Sequence, residues 1–464
     1  MFQRHSPSSV PSPPRRYRHL HVQHSPPSAI GADSNSSRLI SASPKAHISC
    51  RTGGSPASPS RDSVFGTRNV DVLVVGGGLA GLSAAYWIFK KSTHRKPISV
   101  AVAEASDRIG GRCLTLELGA HPKDSDSGVN KDGLVVQEGA KAPVPAAVDD
   151  YDIGATMVCV PAQSYIGELI DELKLDRVSQ YQQGARRIQL GTTKLQTVSG
   201  ADGKWAANFI DAIDLNRVTT RIKKISDRLC VEDPFNSDTG EDLDEINMAQ
   251  LVRRYSVTQF SRDVFDNASL RWFGVPCNRI SALYWLRAAK SNGGIAQMIG
   301  ILREPVKAEE RAKGDGTTYR IRGGTKAMCD ALAVEIGLDN IYTKRQIQVI
   351  IPHRCGITAL SKSGFKFDAR YVVIAVPPML IGRIQFEPEL PPEKRSFVSS
   401  AHLGPAMTFV VTYERPFWRQ KKMSGSFMGS GLRAQGIKPR PVIWTMDCTT
   451  SNGNPALYGY INPE

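Results

Sequence analysis

The stretch from Val70 to Arg112 constrains this chain more than any other. It runs Val-Asp-Val-Leu-Val-Val, then Gly-Gly-Gly-Leu-Ala-Gly, and continues largely apolar to Phe89. The run Val72 to Val75 has the length and β-branched content of a buried strand. Gly76, Gly78 and Gly81 follow in G-x-G-x-x-G spacing, and Leu82 to Phe89 has the pattern of a helix. In such a unit Gly76 permits the tight turn, Gly78 lets backbone approach a pyrophosphate, and Gly81 lets helix and strand pack closely. Leu79 and Ala80, between the glycines, are candidate cofactor-binding residues, and the N-terminus of the helix that follows presents free N–H groups and a positive dipole end. A second apolar run, Ile98 to Ala103, ends in Glu104-Ala105, about 20 residues on, where a carboxylate takes ribose hydroxyls. The order predicts a dinucleotide site of unknown type, with NAD a fair candidate. A glycine-rich turn without ligand and a surface acid at a strand end remain the plain alternatives.

With 464 residues the chain can hold two or three domains. No apolar run approaches the roughly 18 residues of a membrane span. The net charge of +15 raises the question of nucleic acid, but residues 1–66 hold eight Lys or Arg against only Asp33 and Asp62. The rest shows no dense basic run interleaved with aromatics, so no nucleic-acid partner is expected. The eight cysteines form no C-x-x-C, which argues against a zinc ribbon and for reduced thiols in an intracellular protein. No H-E-x-x-H occurs, and no metal site is expected.

Residues 1–66, rich in Ser, Pro, Arg and His, are expected to be a disordered leader; an organelle transit peptide is the alternative. Residues 67–177 form the first part of the nucleotide-binding domain, with 119–150 an inserted loop and Tyr151 to Ala155 a return to the sheet. Ser164 to Leu175 has helical spacing. Residues 178–296 are a helical substrate region, with helices at Trp205–Leu215, Met248–Asp266 and Ser281–Lys290 around an acidic loop, Glu232–Glu245. Residues 297–396 return to the nucleotide-binding domain through a strand at Thr318–Ile321, a helix at Met328–Ile336 and a buried strand at Tyr371–Val376. Residues 397–464 suggest antiparallel strands completing part of the substrate domain. The fold class is therefore mixed α/β.

Glu104-Ala-Ser-Asp-Arg-Ile-Gly-Gly-Arg112 resembles the second fingerprint of the flavin-containing amine oxidases. The similarity continues through Asp152-Ile-Gly-Ala155, Pro161-Ala-Gln163, Ser281-Ala-Leu-Tyr284, Arg322-Gly-Gly324, Tyr371 to Pro378, Leu403-Gly404, Arg415-Pro-Phe-Trp418 and Trp444-Thr-Met-Asp447. The last block is most like the monoamine oxidases. The resemblance implies a Rossmann-like FAD-binding domain of the glutathione-reductase type, interleaved with a helical and antiparallel-sheet substrate domain. Gly76 to Gly81 would hold the FAD pyrophosphate, Glu104-Ala105 the adenosine ribose, and Gly111-Arg112 would bring charge beside the pyrophosphate. Ile347 would meet the adenine, and Gly154 with Ala155 the isoalloxazine. The implied reaction takes a hydride from the carbon beside an amine, giving imine and then aldehyde, while O2 becomes H2O2. A homodimer and a place on the mitochondrial outer membrane follow only from the resemblance.

Three departures bear on activity. Thr408 stands where monoamine oxidases carry a lysine that holds a water beside the flavin, and its hydroxyl cannot reproduce an ammonium donor. Ser291 stands where the family has a cavity glutamine. The sequence stops at Glu464, before the family's covalent cysteine, aromatic pair, closing flavin segment and anchoring tail. A fragment or a mispredicted gene product is therefore expected. Met428 and Trp444 match cavity-gating positions, with buried core residues as the alternative. An amine oxidase and a catalytically impaired scaffold that keeps the fold are the competing expectations. Within the enzymes, polyamine and L-amino-acid oxidase stay open.

Overall fold

The computed structural model describes residues 66–92, 97–118, 149–159, 163–190, 195–198, 209–300, 318–431 and 441–462. The leader through 65, most of the inserted loop, Pro161-Ala162 and the start of the helix expected at Trp205 lie outside the described residues. Thr67–Val75 (β1) is central to a seven-stranded sheet. The strand order is Ile341–Tyr342, Val100–Ala103 (β2), β1, Lys366–Ile374, Gly356–Ser361, Ile347–His353, Gln385–Phe386. The first four are parallel; Lys366–Ile374, Gly356–Ser361 and Ile347–His353 follow as an antiparallel meander, and the last pairs in parallel.

Helices or aromatic side chains cover both faces of β1, which is why it is apolar without alternation. Val72 and Val74 pack on Leu82 and Ala85 of Leu79–Lys90 (α1) and on Leu332 and Ile336 of the helix Lys326–Ile336. Leu73 and Val75 face the other way, into a core with Tyr342, Phe365 and Phe367, whose rings meet at 5.0–5.6 Å.

A second core holds the helices Phe209–Asp227, Met248–Tyr255, Gln259–Phe273 and Ala282–Ser291, centred on Val218, Leu251, Phe265 and Trp285. The single helix expected over Met248–Asp266 is two. The buried Asp214 carboxylate accepts the Val257 and Thr258 N–H groups at 2.9–3.1 Å and the Thr258 and Ser261 hydroxyls at 2.8–3.0 Å. That pull takes the backbone out of the helical ladder at Ser256–Thr258, and Thr258 then caps the next helix. The acidic segment expected as a loop contains a short helix, Gly240–Glu245.

A six-stranded sheet, largely antiparallel, joins distant segments in the order Met407–Thr412, Ala456–Ile461, Val442–Asp447, Met423–Gly429, Ala185–Gln189, Gln196–Val198. The expected return of Tyr151 to the main sheet does not occur. Asp149–Asp152 pairs instead with Thr115–Leu118 in a separate two-stranded ladder. Its sequence Asp-Asp-Tyr-Asp has one apolar side chain and cannot be buried on two faces. Thr318–Ile321 likewise joins Val158–Cys159 and Arg177–Ser179 in a three-stranded sheet. Among the described residues no helix is long and apolar enough to cross a membrane, and no group of three or more potential ligands could hold a metal ion. Cys113, Cys230, Cys277, Cys329 and Cys448 are free thiols, whereas Cys355, exposed in a hairpin turn, is disulfide-bonded and departs from the expectation of reduced thiols.

Candidate functional site

The turn between β1 and α1 divides the work among its glycines. Gly76 has φ +110°, and a Cβ there would stand 2.9 Å from the Ala375 carbonyl oxygen. A Cβ on Gly81 would stand 1.9 Å from the Gly76 carbonyl oxygen, so helix and strand touch through bare backbone. Gly78 is different: its φ is −76°, and a Cβ would meet nothing within 4 Å. The space above it is open, as an approaching pyrophosphate requires. The first helical bond runs from the Leu82 N–H to the Gly78 carbonyl at 2.9 Å. The Leu79, Ala80 and Gly81 N–H groups therefore precede the helical ladder and point out of the helix end.

Glu104 lies one residue beyond β2, beside this turn. Its Oε2 accepts the Gly77 N–H at 2.6 Å, and its Oε1 accepts the Ser106 N–H and hydroxyl, each at 2.8 Å. Its carbonyl accepts the Arg345 N–H at 2.7 Å, which brings the start of the Ile347 strand alongside. Ile347 is buried in the core shared with Ala101 and Ala103, and Ala105 is exposed at the strand end.

The Gly110-Gly111-Arg112 segment closes over the turn. The Gly110 N–H donates to the Gly77 carbonyl at 2.8 Å, and Gly111 has φ +56° against Gly78. Arg108 Nη2 donates to the Gly111 carbonyl at 2.9 Å, so this arginine shapes the loop. The Arg112 side chain is exposed and makes no hydrogen bond or ion pair among the described residues. Its carbonyl accepts the Ala155 N–H at 3.0 Å, and a Cβ on Gly154 would stand 1.9 Å from that same oxygen. The three segments singled out from sequence thus form one continuous backbone surface.

Thr408 and Tyr458 approach this surface from the six-stranded sheet. The Thr408 hydroxyl donates to the Ile153 carbonyl at 2.7 Å, and the Tyr458 hydroxyl to the Gly154 carbonyl at 3.3 Å. Below them Asp152 Oδ1 accepts the Thr115 hydroxyl at 2.6 Å and the Thr325 N–H at 2.9 Å. Burial pushes the Asp152 carboxyl above its ordinary value despite these bonds.

Met428 and Trp444 are cross-strand neighbours, and Trp444 stacks on Tyr460 with centroids 5.8 Å apart. Ser291 turns its hydroxyl back to the Arg287 carbonyl of its own helix at 3.0 Å. No contact of Ser291 with the Met428–Trp444 pair is seen among the described residues. Sequence reasoning missed Gly77, Ser106 and Arg345 as the groups that fix Glu104. Ser106, two residues after the acid, carried a local signal; Arg345, far along the chain, carried none.

The donor set fits the pyrophosphate and ribose of a dinucleotide: open space over Gly78, free amides at a helix end, an anchored carboxylate and an uncommitted guanidinium. A family model described as flavin containing amine oxidoreductase matches residues 79–463. The probable flavin-containing monoamine oxidase A of Dictyostelium discoideum is 24% identical over 400 residues, covering 84% of this chain and 74% of that protein. Flavin-containing amine oxidase B of Homo sapiens is 25% identical over 398 residues, covering 84% and 65%. Wild-type putrescine oxidase bound to putrescine has a similar structure, with TM-score 0.68 and 23% identity over 85% of this chain and 76% of that one. At that identity the likeness speaks for the fold alone.

Proposed function

This chain belongs to the flavin containing amine oxidoreductase family, and from that premise we propose that it binds FAD and oxidises an amine with O2. When bound, the flavin supplies the two-electron oxidation of amine to imine; water then releases aldehyde and ammonia or amine, and O2 leaves as H2O2. The observation that carries the reading is the Glu104 carboxylate, pinned by Gly77 and Ser106 beside the open face of Gly78. Glu104 would accept the adenosine ribose hydroxyls and the amides of Leu79 to Gly81 would meet the pyrophosphate. Arg112 would offset the pyrophosphate charge. Gly154 and Ala155 would pass beside the reactive ring, with Ile347 near the adenine. Met428 and Trp444 would border the amine, with Ser291 at its edge.

On this reading residues 67–177 and 297–396 build the FAD-binding domain, and 178–296 with 397–464 the substrate domain. An intracellular location and a homodimer belong to the same proposal. The test is flavin absorbance of the purified protein together with amine-dependent peroxide release. Flavin bound without peroxide from any mono-, di- or polyamine would sink the oxidase reading.

A second reading, a scaffold that keeps the fold without turnover, is favoured by Thr408, whose hydroxyl is already committed to the Ile153 carbonyl.

A further inference from the structure

The helix Gln259–Phe273 ends near Arg271-Trp272, and both side chains turn to one acceptor. The Trp272 indole N–H donates to the Met298 carbonyl at 3.0 Å, and Arg271 Nη2 donates to the same oxygen at 2.5 Å. The Arg271 guanidinium carbon lies 5.8 Å from the Trp272 ring centre and 5.6 Å from that of Trp444. A Cβ on Gly300 would stand 3.4 Å from Arg271 Nη1, so the absence of a side chain there leaves room for the guanidinium. The surroundings of this positive charge are aromatic.

That charge has no carboxylate. Among the described residues no Asp or Glu forms an ion pair with Arg271, and the one ionisable group acting on it is Tyr460. Burial lowers its pKa to about 10, which still leaves it charged at neutral pH. A guanidinium has five N–H donors, and one backbone carbonyl leaves most of them unused. Its planar fork matches a carboxylate with two parallel bonds, in a site where an unpaired charge is otherwise costly. A plain alkylammonium would be repelled at the same place.

We propose that Arg271 is the anchor for a substrate carboxylate, so that the amines this chain takes are amino carboxylates. The proposal rests on the reading that Met428 and Trp444 border the amine site; Arg271 stacks on the second of these. It deepens that reading by naming a substrate class and the residue that selects it.

Trp272 and Trp444 are built-in reporters. Quenching of intrinsic tryptophan fluorescence by 3-phenylpropionate and by its uncharged isostere 3-phenylpropanamide tests the anchor in the full chain without turnover. The carboxylate should bind saturably and about tenfold or more tighter than the amide, as a charge-assisted bidentate pair requires. Arg271→Met should abolish the preference, and Arg271→Lys should restore part of it. Equal binding of carboxylate and amide by the unaltered protein overturns the proposal, whatever the variants do. A preference that survives Arg271→Met also overturns it and leaves Arg271 a clamp between two tryptophans. A carboxylate preference without peroxide from any amine would keep the anchor and remove the oxidase reading. The two failures are therefore separable.

Discussion

The Gly77 N–H donates to Oε2 of Glu104 at 2.6 Å, joining the glycine turn after β1 to the acid after β2. The bond does more than tie two strand ends. With Ser106 holding Oε1, both carboxylate oxygens are oriented before any ligand arrives. A Cβ on Gly77 would stand 3.0 Å from the Glu104 Cβ, so this closeness also depends on glycine.

Glu104→Gln tests that orientation. The amide has one acceptor oxygen, so its NH2 must face either Gly77 or Ser106, donor against donor. FAD binding should weaken by about 1–3 kcal/mol, a loss of roughly tenfold or more. FMN, which lacks the adenosine ribose, should bind the variant and the parent alike. Titration of flavin fluorescence reads both, and an equal loss for the two flavins would refute the ribose role.

Two glycine-to-alanine changes separate architecture from ligand contact. Gly81→Ala places a methyl 1.9 Å from the Gly76 carbonyl oxygen, where only backbone could yield. It should cost about 3 kcal/mol of stability or prevent folding. Gly78→Ala meets nothing within 4 Å at a φ of −76°, so its thermal midpoint should stay close to the parent's. Its methyl would occupy the space assigned to the pyrophosphate, and FAD affinity should fall sharply. Normal FAD binding by Gly78→Ala would remove the pyrophosphate from this turn.

The unit of strand, glycine turn, helix, strand and acid was legible because its constraints are local. Val72–Val75, Gly76 to Gly81 and Glu104 lie within one strand–helix–strand unit, and each residue's place in the fold follows from its neighbours. The meander Ile347–His353 and Gly356–Ser361 escaped strand assignment, although the backbone of Ile347 was expected at the adenine. Its short apolar runs share no helix period or long buried stretch. The break at Ser256–Thr258 was invisible for another reason. Its cause, Asp214, lies over forty residues upstream and acts only once the helices pack. The Arg271–Trp444 contact is equally nonlocal, and nothing in Leu270-Arg-Trp-Phe273 announces it.

Thr408→Val asks whether this side chain acts on the chemistry. The two residues share a shape, but valine leaves the Ile153 carbonyl without its donor. Stability should fall by about 1 kcal/mol in urea unfolding. Flavin content should be unchanged, because the hydroxyl faces backbone. Loss of amine-dependent flavin reduction at full flavin content would instead give Thr408 a direct part in turnover.

Asp447 gives the fold a defined acid limit. Its carboxylate is fully buried and accepts Trp418 Nε1 at 2.7 Å, Arg419 Nε and Nη2 at 2.6 and 2.8 Å, and the Thr449 N–H at 2.9 Å. Burial alone would raise its pKa; the bonds from Arg419, Trp418 and Thr449 outweigh it and hold the folded value below the ordinary 3.8. Because the folded value is depressed, the stabilisation is present above 3.8 and is lost as pH falls through the folded value. Asp152 has the opposite sign: burial raises its pKa, so its contribution is complete below 3.8 and is lost as pH rises through the raised value. Asp447→Asn should destabilise the protein by about 3 kcal/mol near neutrality, because Arg419 keeps its charge and loses its partner. Urea unfolding of parent and variant should show that gap narrowing as pH falls below 3.8, where the parent's carboxylate also takes up a proton. A gap of constant size across that range would mean that shape, rather than charge, makes Asp447 matter.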